Sequence, residues 1–86
     1  REWDVMAVVE DCRDGFIYCE QRNKFFKGDT LESLEPGKKP QSFVVTELFD
    51  ENGEPIDSTP RAMMKFKIRS DLKFVPGTIL RKQNIK

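Results

Sequence analysis

Short strand-like runs separated by glycine and proline turns, with no helical period in any stretch, predict an all-β domain, a small six- or seven-stranded β-barrel. The clearest run is Met64-Lys65-Phe66-Lys67-Ile68-Arg69. It alternates apolar and cationic residues at the period of an extended chain. That places Met64, Phe66 and Ile68 on the core and Lys65, Lys67 and Arg69 toward water. Closing the sheet on itself removes the unpaired edges that a small domain tolerates badly.

The elements follow in order. Trp3 to Glu10 carries the nearly continuous apolar run Val5-Met6-Ala7-Val8-Val9. Asp14-Gly15 comes next, a hairpin signal because both residues accept positive φ. A two-residue turn there sets Cys12 opposite Ile17 and Cys19 opposite Glu10. Phe16 to Arg22 is rich in aromatic and β-branched residues and reads as the second strand. Leu31 to Glu35 alternates weakly, and residues 35–40, with two prolines and a glycine, form a loop. Ser42 to Phe49 reads as one strand, followed by the turn Asp50-Glu51-Asn52-Gly53. Pro55 and Pro60 make residues 54–60 an edge or a loop, since proline donates no ladder hydrogen bond. After Met64–Arg69, Phe74-Val75-Pro76-Gly77 turns the chain into a last strand, Thr78 to Lys82. Single helical turns at 22–28 or 70–75 remain compatible with the sequence. Phe16, Tyr18, Phe43 and Phe66 are expected in the core.

At 86 residues the chain is one domain at most. It opens on Arg1 rather than Met and runs directly into a strand, so residues 1–86 read as a single domain excised from a longer protein. A chain of this size buries roughly 60–65% of its unfolded surface, and its core is small. No apolar run approaches the roughly 18 residues that span a bilayer, and no signal-peptide pattern is present. Two cysteines, Cys12 and Cys19, are too few for a disulfide scaffold and point to a reduced, cytoplasmic chain. Net charge is zero but uneven: residues 1–60 carry 7 basic and 14 acidic side chains, and residues 61–86 carry 8 basic and one acidic. Such asymmetry marks either a basic binding surface or two halves that neutralise each other on folding.

The segment Gln21-Arg22-Asn23-Lys24-Phe25 with Gly28-Asp29 stands out, followed by Leu31, Glu32 and Pro36. With Phe43 to Leu48, the run Asp50-Glu51-Asn52-Gly53-Glu54-Pro55-Ile56 and the closing Ile79-Leu80-Arg81-Lys82, it resembles the C-terminal domain of the collagenase-like peptidases, peptidase family U32. The resemblance covers essentially the whole chain. It implies a small β-barrel similar to the second domain of elongation factor Tu, set behind a large N-terminal catalytic domain. Family members include peptidases, some of them collagenases. Others resemble RNA-modifying hydroxylases that carry an iron–sulfur cluster, whose cysteine ligands cannot be placed on Cys12 or Cys19. The implied role is that of a non-catalytic accessory domain that docks on its own catalytic domain and positions a protein or RNA substrate. The alternative is an RNA-binding barrel of a translation-factor-like or RNA-modifying protein.

The residues themselves suggest no catalysis. Hydrolysis needs a nucleophile beside a base, or a metal with an open position; the chain has no His, and a structural zinc needs about four ligands. No catalytic, metal or cofactor-binding residue is expected. Asp50, Glu51, Glu54 and Asp57 cluster at a turn without the spacing of a calcium loop, and a solvated turn accounts for them. Phe25 and Phe26 are adjacent, so one plugs the barrel end and the other reaches the surface. Arg22, Asn23, Lys24, Phe25 and Lys27 form the candidate substrate-binding set, because aromatic and basic residues together stack on and neutralise single-stranded RNA; the bland alternative is that they simply cover a barrel mouth. Gly28 and Asp29 are assigned the structural turn: Gly28 adopts positive φ, and Asp29 bonds to nearby backbone N–H groups. Trp3 either caps its own core or packs against the parent protein.

Overall fold

The computed structural model describes residues 2–84. Seven strands form one sheet: β1 (Glu2–Arg13), β2 (Phe16–Gln21), β3 (Thr30–Leu34), β4 (Gln41–Val44), β5 (Leu48–Asp50), β6 (Lys65–Arg69) and β7 (Ile79–Asn84). Their order across the sheet is β4-β3-β7-β1-β2-β6-β5, and every neighbouring pair is antiparallel. The described residues contain no helix, so neither 22–28 nor 70–75 makes a helical turn.

Two β-bulges curl the sheet. Register slips between Val5 and Ala7 against β7, and between Val9 and Asp11 against β2. An extra residue on one side bends a strand and sharpens its twist. Both slips fall in β1, the 12-residue strand at the centre. The result is a curled half-barrel. Its edge strands, β4 and β5, are consecutive in sequence and separated only by residues 45–47, so the chain itself spans the open side. The second bulge also corrects the cysteine register. Cys12 stands opposite Ile17, but Cys19 stands opposite Val9 rather than Glu10.

Period-two alternation sets the core face of β6: Met64, Phe66 and Ile68 are buried, Lys65 and Lys67 are half-buried on the outer face, and Arg69 is exposed. In β2 the same rule is ambiguous, because Phe16, Ile17, Tyr18 and Cys19 are all apolar enough to point inward. Ile17 and Cys19 are buried, whereas Phe16 and Tyr18 lie half-exposed on the outer face, against expectation. Phe43 is also only partly buried, its ring 6.1 Å from that of Phe74. The run 42–49 is two strands, not one. Val45 and Leu48 are both buried, three residues apart, so the side-chain alternation breaks at the corner between β4 and β5. Residues 54–56 then cover the edge of β5, with Ile56 N–H donating to the Leu48 carbonyl at 3.0 Å and Asp50 N–H to that of Glu54 at 2.9 Å.

One end of the half-barrel is stoppered by Phe25, which is fully buried and meets the Phe66 ring edge-on at 5.4 Å. Buried Thr59 holds it from both sides. Phe25 N–H donates to Thr59 Oγ1 at 3.1 Å, and Thr59 N–H donates to the Phe25 carbonyl at 3.1 Å. Burying a phenyl ring this way contributes roughly 1.5–3 kcal/mol.

Candidate functional site

The segment from Gln21 to Asp29 is the first candidate, and most of its polar groups face the protein. Gln21 is buried; its Nε2 donates to the Thr59 carbonyl at 2.7 Å, and its Oε1 accepts from Met63 N–H at 3.2 Å. Asn23 Nδ2 donates to the Val5 carbonyl at 2.7 Å, while the Arg22 and Asn23 N–H groups both donate to the Met6 carbonyl. These bonds tie the turn to the bulged part of β1. The Arg22 guanidinium donates to Glu20 and to its own neighbour's carbonyl at Gln21. Gly28 has φ +94°, a conformation side chains rarely adopt, and its N–H donates to the Val45 carbonyl at 2.8 Å. The Asp29 carboxylate accepts from Phe26 N–H at 2.8 Å and from Lys82 Nζ at 3.0 Å.

Two residues of the expected substrate-binding set therefore read differently. Phe25 offers no surface to a ligand, and Phe26 is the ring that reaches solvent, with Lys24 Nζ 5.1 Å from its centroid. Asn23 is exposed, but its amide is committed to the β1 backbone. Lys24 and Lys27 keep exposed side chains beside Phe26.

The charge asymmetry resolves into pairs across strands. Lys65 bonds Glu10 and Glu20, Arg69 bonds Glu47 at 3.2 Å, Arg81 bonds Glu32, and Lys82 bonds Asp29. Hydrogen bonds from Arg22 and then Lys65 hold the Glu20 carboxyl below its usual range, and its partners Glu10 and Glu20 raise the Lys65 ammonium. In the acidic turn, the Asp50 carboxylate accepts from the N–H groups of Asn52 at 2.9 Å and Glu54 at 3.0 Å, an Asx-type closure. No group of three or more metal-ligating side chains gathers among the described residues. Cys19 is buried, and burial pushes its thiol well above the ordinary range. Cys12 is half-buried and accepts from Phe74 N–H at 3.4 Å. Two cysteines so engaged do not fit an iron–sulfur cluster, which takes four thiolates.

Sequence reading missed a ladder on the outer face of β2 and β6. Lys67 Nζ lies 4.2 Å from the Phe16 centroid and 5.6 Å from that of Tyr18. The Arg69 guanidinium covers Phe16 at 4.5 Å, and Arg13 covers Tyr18 at 3.9 Å. Phe49 of β5 closes edge-on against Phe16 at 5.7 Å. Arg13 also bonds Asp11, whose carboxyl is lowered chiefly by that hydrogen bond. Among the described residues Lys67 has no ion-pair partner. The signal was the shared parity of Lys65-Lys67-Arg69 with Phe16-Tyr18, which becomes visible only once β2 and β6 are known to pair.

Comparison with known proteins agrees with this architecture. The C-terminal domain of a Geobacillus thermoleovorans protein classed as a U32 peptidase has been crystallised. Its selenomethionine form superposes with a TM-score of 0.79 at 26% identity, covering 95% of this chain and 100% of that one. A second crystal structure of the same domain gives a TM-score of 0.79 at 25% identity, with 93% and 90% covered. The tRNA hydroxylation protein P1 of Bacillus subtilis (strain 168) is 30% identical over 78 residues, which is 91% of this chain and 18% of that protein. The chain thus spans about a fifth of the length of that curated relative. No helix among the described residues is long and apolar enough to cross a membrane. The sequence profile of the peptidase family U32 C-terminal domain matches residues 1–81, and the chain belongs to that family.

Proposed function

We propose that this half-barrel is the accessory domain of a longer U32-family protein, and that it recognises or positions the substrate while the chemistry proceeds elsewhere in the parent. The observation that carries this reading is the extent of the match: nearly the whole chain corresponds to a C-terminal domain, and to 18% of a curated relative. The use of side chains supports it. Gln21, Asn23, Asp29 and Thr59 spend their polar groups on backbone partners, which suits a scaffold. RNA is the favoured substrate class, because that relative is named for tRNA hydroxylation and because cations and rings share the outer face of β2 and β6.

The test is made on the full-length parent. Deleting the domain should raise KM for a tRNA substrate at least several-fold while leaving kcat within about twofold, the pattern of lost binding shared by ground and transition states. A fall in kcat with KM unchanged would overturn the accessory reading.

A further inference from the structure

We propose that the outer face of β2 and β6 is the RNA-contact surface of this domain, with Lys67 receiving one backbone phosphate between Arg13 and Arg69. This rests on the RNA reading above and gives it a place. Three cations converge on two neighbouring rings: Arg13 on Tyr18, Arg69 on Phe16, and Lys67 between the two. A ring face attracts a cation without using up its hydrogen-bond donors, so N–H groups remain to meet a ligand. Arg13 and Arg69 each spend part of a five-donor guanidinium on one carboxylate, Asp11 and Glu47. Lys67 spends nothing on a carboxylate among the described residues.

The missing counter-charge selects the occupant. A protein partner that covered this face would desolvate Lys67 and would have to supply a well-placed carboxylate, since an unpaired buried charge is costly. A phosphate brings the charge itself and tolerates a wet contact. A groove of about 310 Å³ that Lys67 shares with Lys65 limits the path. Arg13 and Lys67 line it together with Glu10, Asp50, Glu51 and Lys65, and the Lys65 charge is already met by Glu10 and Glu20. The groove's carboxylates repel a phosphate, so the RNA strand reaches Lys67 from the Arg69 side, over the Phe16 ring that both cations cover, and not along the Lys65 end.

The experiment measures binding of an unmodified tRNA transcript to the full-length parent over a range of salt. Lys67→Ala should weaken binding about three- to tenfold at low salt and lower the slope of log affinity against log salt by roughly 0.7–0.9, one phosphate's worth. Lys67→Glu should lose more, and Lys67→Arg should restore the slope. Lys39→Ala, a control in the β3–β4 loop, should leave the slope unchanged. Circular dichroism and thermal melting should show all four variants folded. If domain deletion weakens tRNA binding but Lys67→Ala and Lys67→Glu leave affinity and slope unchanged, this surface is wrong and the accessory reading survives. If deletion itself leaves tRNA binding and KM unchanged, that reading fails first. If Lys67→Glu instead frees the domain to proteolysis with tRNA binding intact, the face contacts protein and the proposal is overturned.

Discussion

The turn from Gln21 to Asp29 and the ladder on β2 and β6 hold similar residues and use them in opposite ways. In the turn, polar groups face inward onto backbone: Gln21 on Thr59 and Met63, Asn23 on Val5, Asp29 on Phe26. In the ladder, cations face outward over rings, and Lys67 at its centre lacks an acidic partner among the described residues. The turn is conspicuous in the sequence because contiguous residues build it, each with a demanding conformational task. The ladder is dispersed over four segments and emerges only from strand pairing. Conspicuous spacing here marks what the fold requires, while the exposed face of rings and cations is assembled from residues far apart in the chain.

Substitutions sharpen that contrast, and the largest effect belongs to the stopper. Phe25→Ala should cost about 3–5 kcal/mol in urea denaturation followed by Trp3 fluorescence, the range for deleting a buried phenyl ring. Phe26→Ala, on the exposed neighbour, should stay within about 1 kcal/mol. Comparable losses from the two would mean that the assignment of inward and outward ring is reversed. Gly28→Val comes next, at about 1–3 kcal/mol. Among the described residues, no atom beyond the glycine and its two chain neighbours lies within 4 Å of where a Cβ would stand, so the cost is conformational and not a clash. A neutral result in the same assay would show that the turn relaxes to negative φ. Gln21→Ala should cost about 1–3 kcal/mol by stranding the Thr59 carbonyl and the Met63 N–H. Faster amide exchange at Met63 would report the same loss locally.

On the ladder, effects on stability should be small. Lys67→Ala should change the urea midpoint by less than the equivalent of about 0.5 kcal/mol; a larger loss would make the ladder part of the scaffold. The smallest effect is electrostatic and depends on pH. The folded Glu20 carboxyl is held below its unfolded value by Arg22 and Lys65. Its contribution is therefore present above the unfolded carboxylate range and is lost as pH falls through the folded value. The difference in urea midpoint between wild type and Glu20→Gln should be measurable at pH 7 and shrink toward pH 3. A difference that stayed constant would assign the effect to something other than ionisation.

The legible parts of the fold were those where alternation is unambiguous. Met64, Phe66 and Ile68 could face only one way, because the residues between them are charged. Asp14-Gly15 announced its hairpin, and both residues have the positive φ of such a turn. Where every residue in a run is apolar, as in Phe16-Ile17-Tyr18-Cys19, parity had no sequence signature, and the cations that cover Phe16 and Tyr18 come from other strands. The bulge at Glu10 and the corner at 45–47 were equally hidden, since both answer to the curvature of the whole sheet. At the candidate site, the sequence pointed to aromatic and basic residues together in the turn, but strand pairing gathers a second such group on the outer face of β2 and β6.

The position of β7 has a consequence in time. It lies between β3 and β1, so strands from the beginning and the end of the chain meet at the centre of the sheet. Until Ile79–Asn84 has been synthesised, the sheet exists only as two unjoined pieces, β4-β3 and β1-β2-β6-β5. At ribosomal speeds of about 5–20 residues per second, the earlier strands wait several seconds with apolar faces uncovered. The domain therefore completes its fold only after its last strand clears the ribosome. A stalled or truncated chain lacking those residues would present open strand edges to chaperones and proteases instead of a partly working domain.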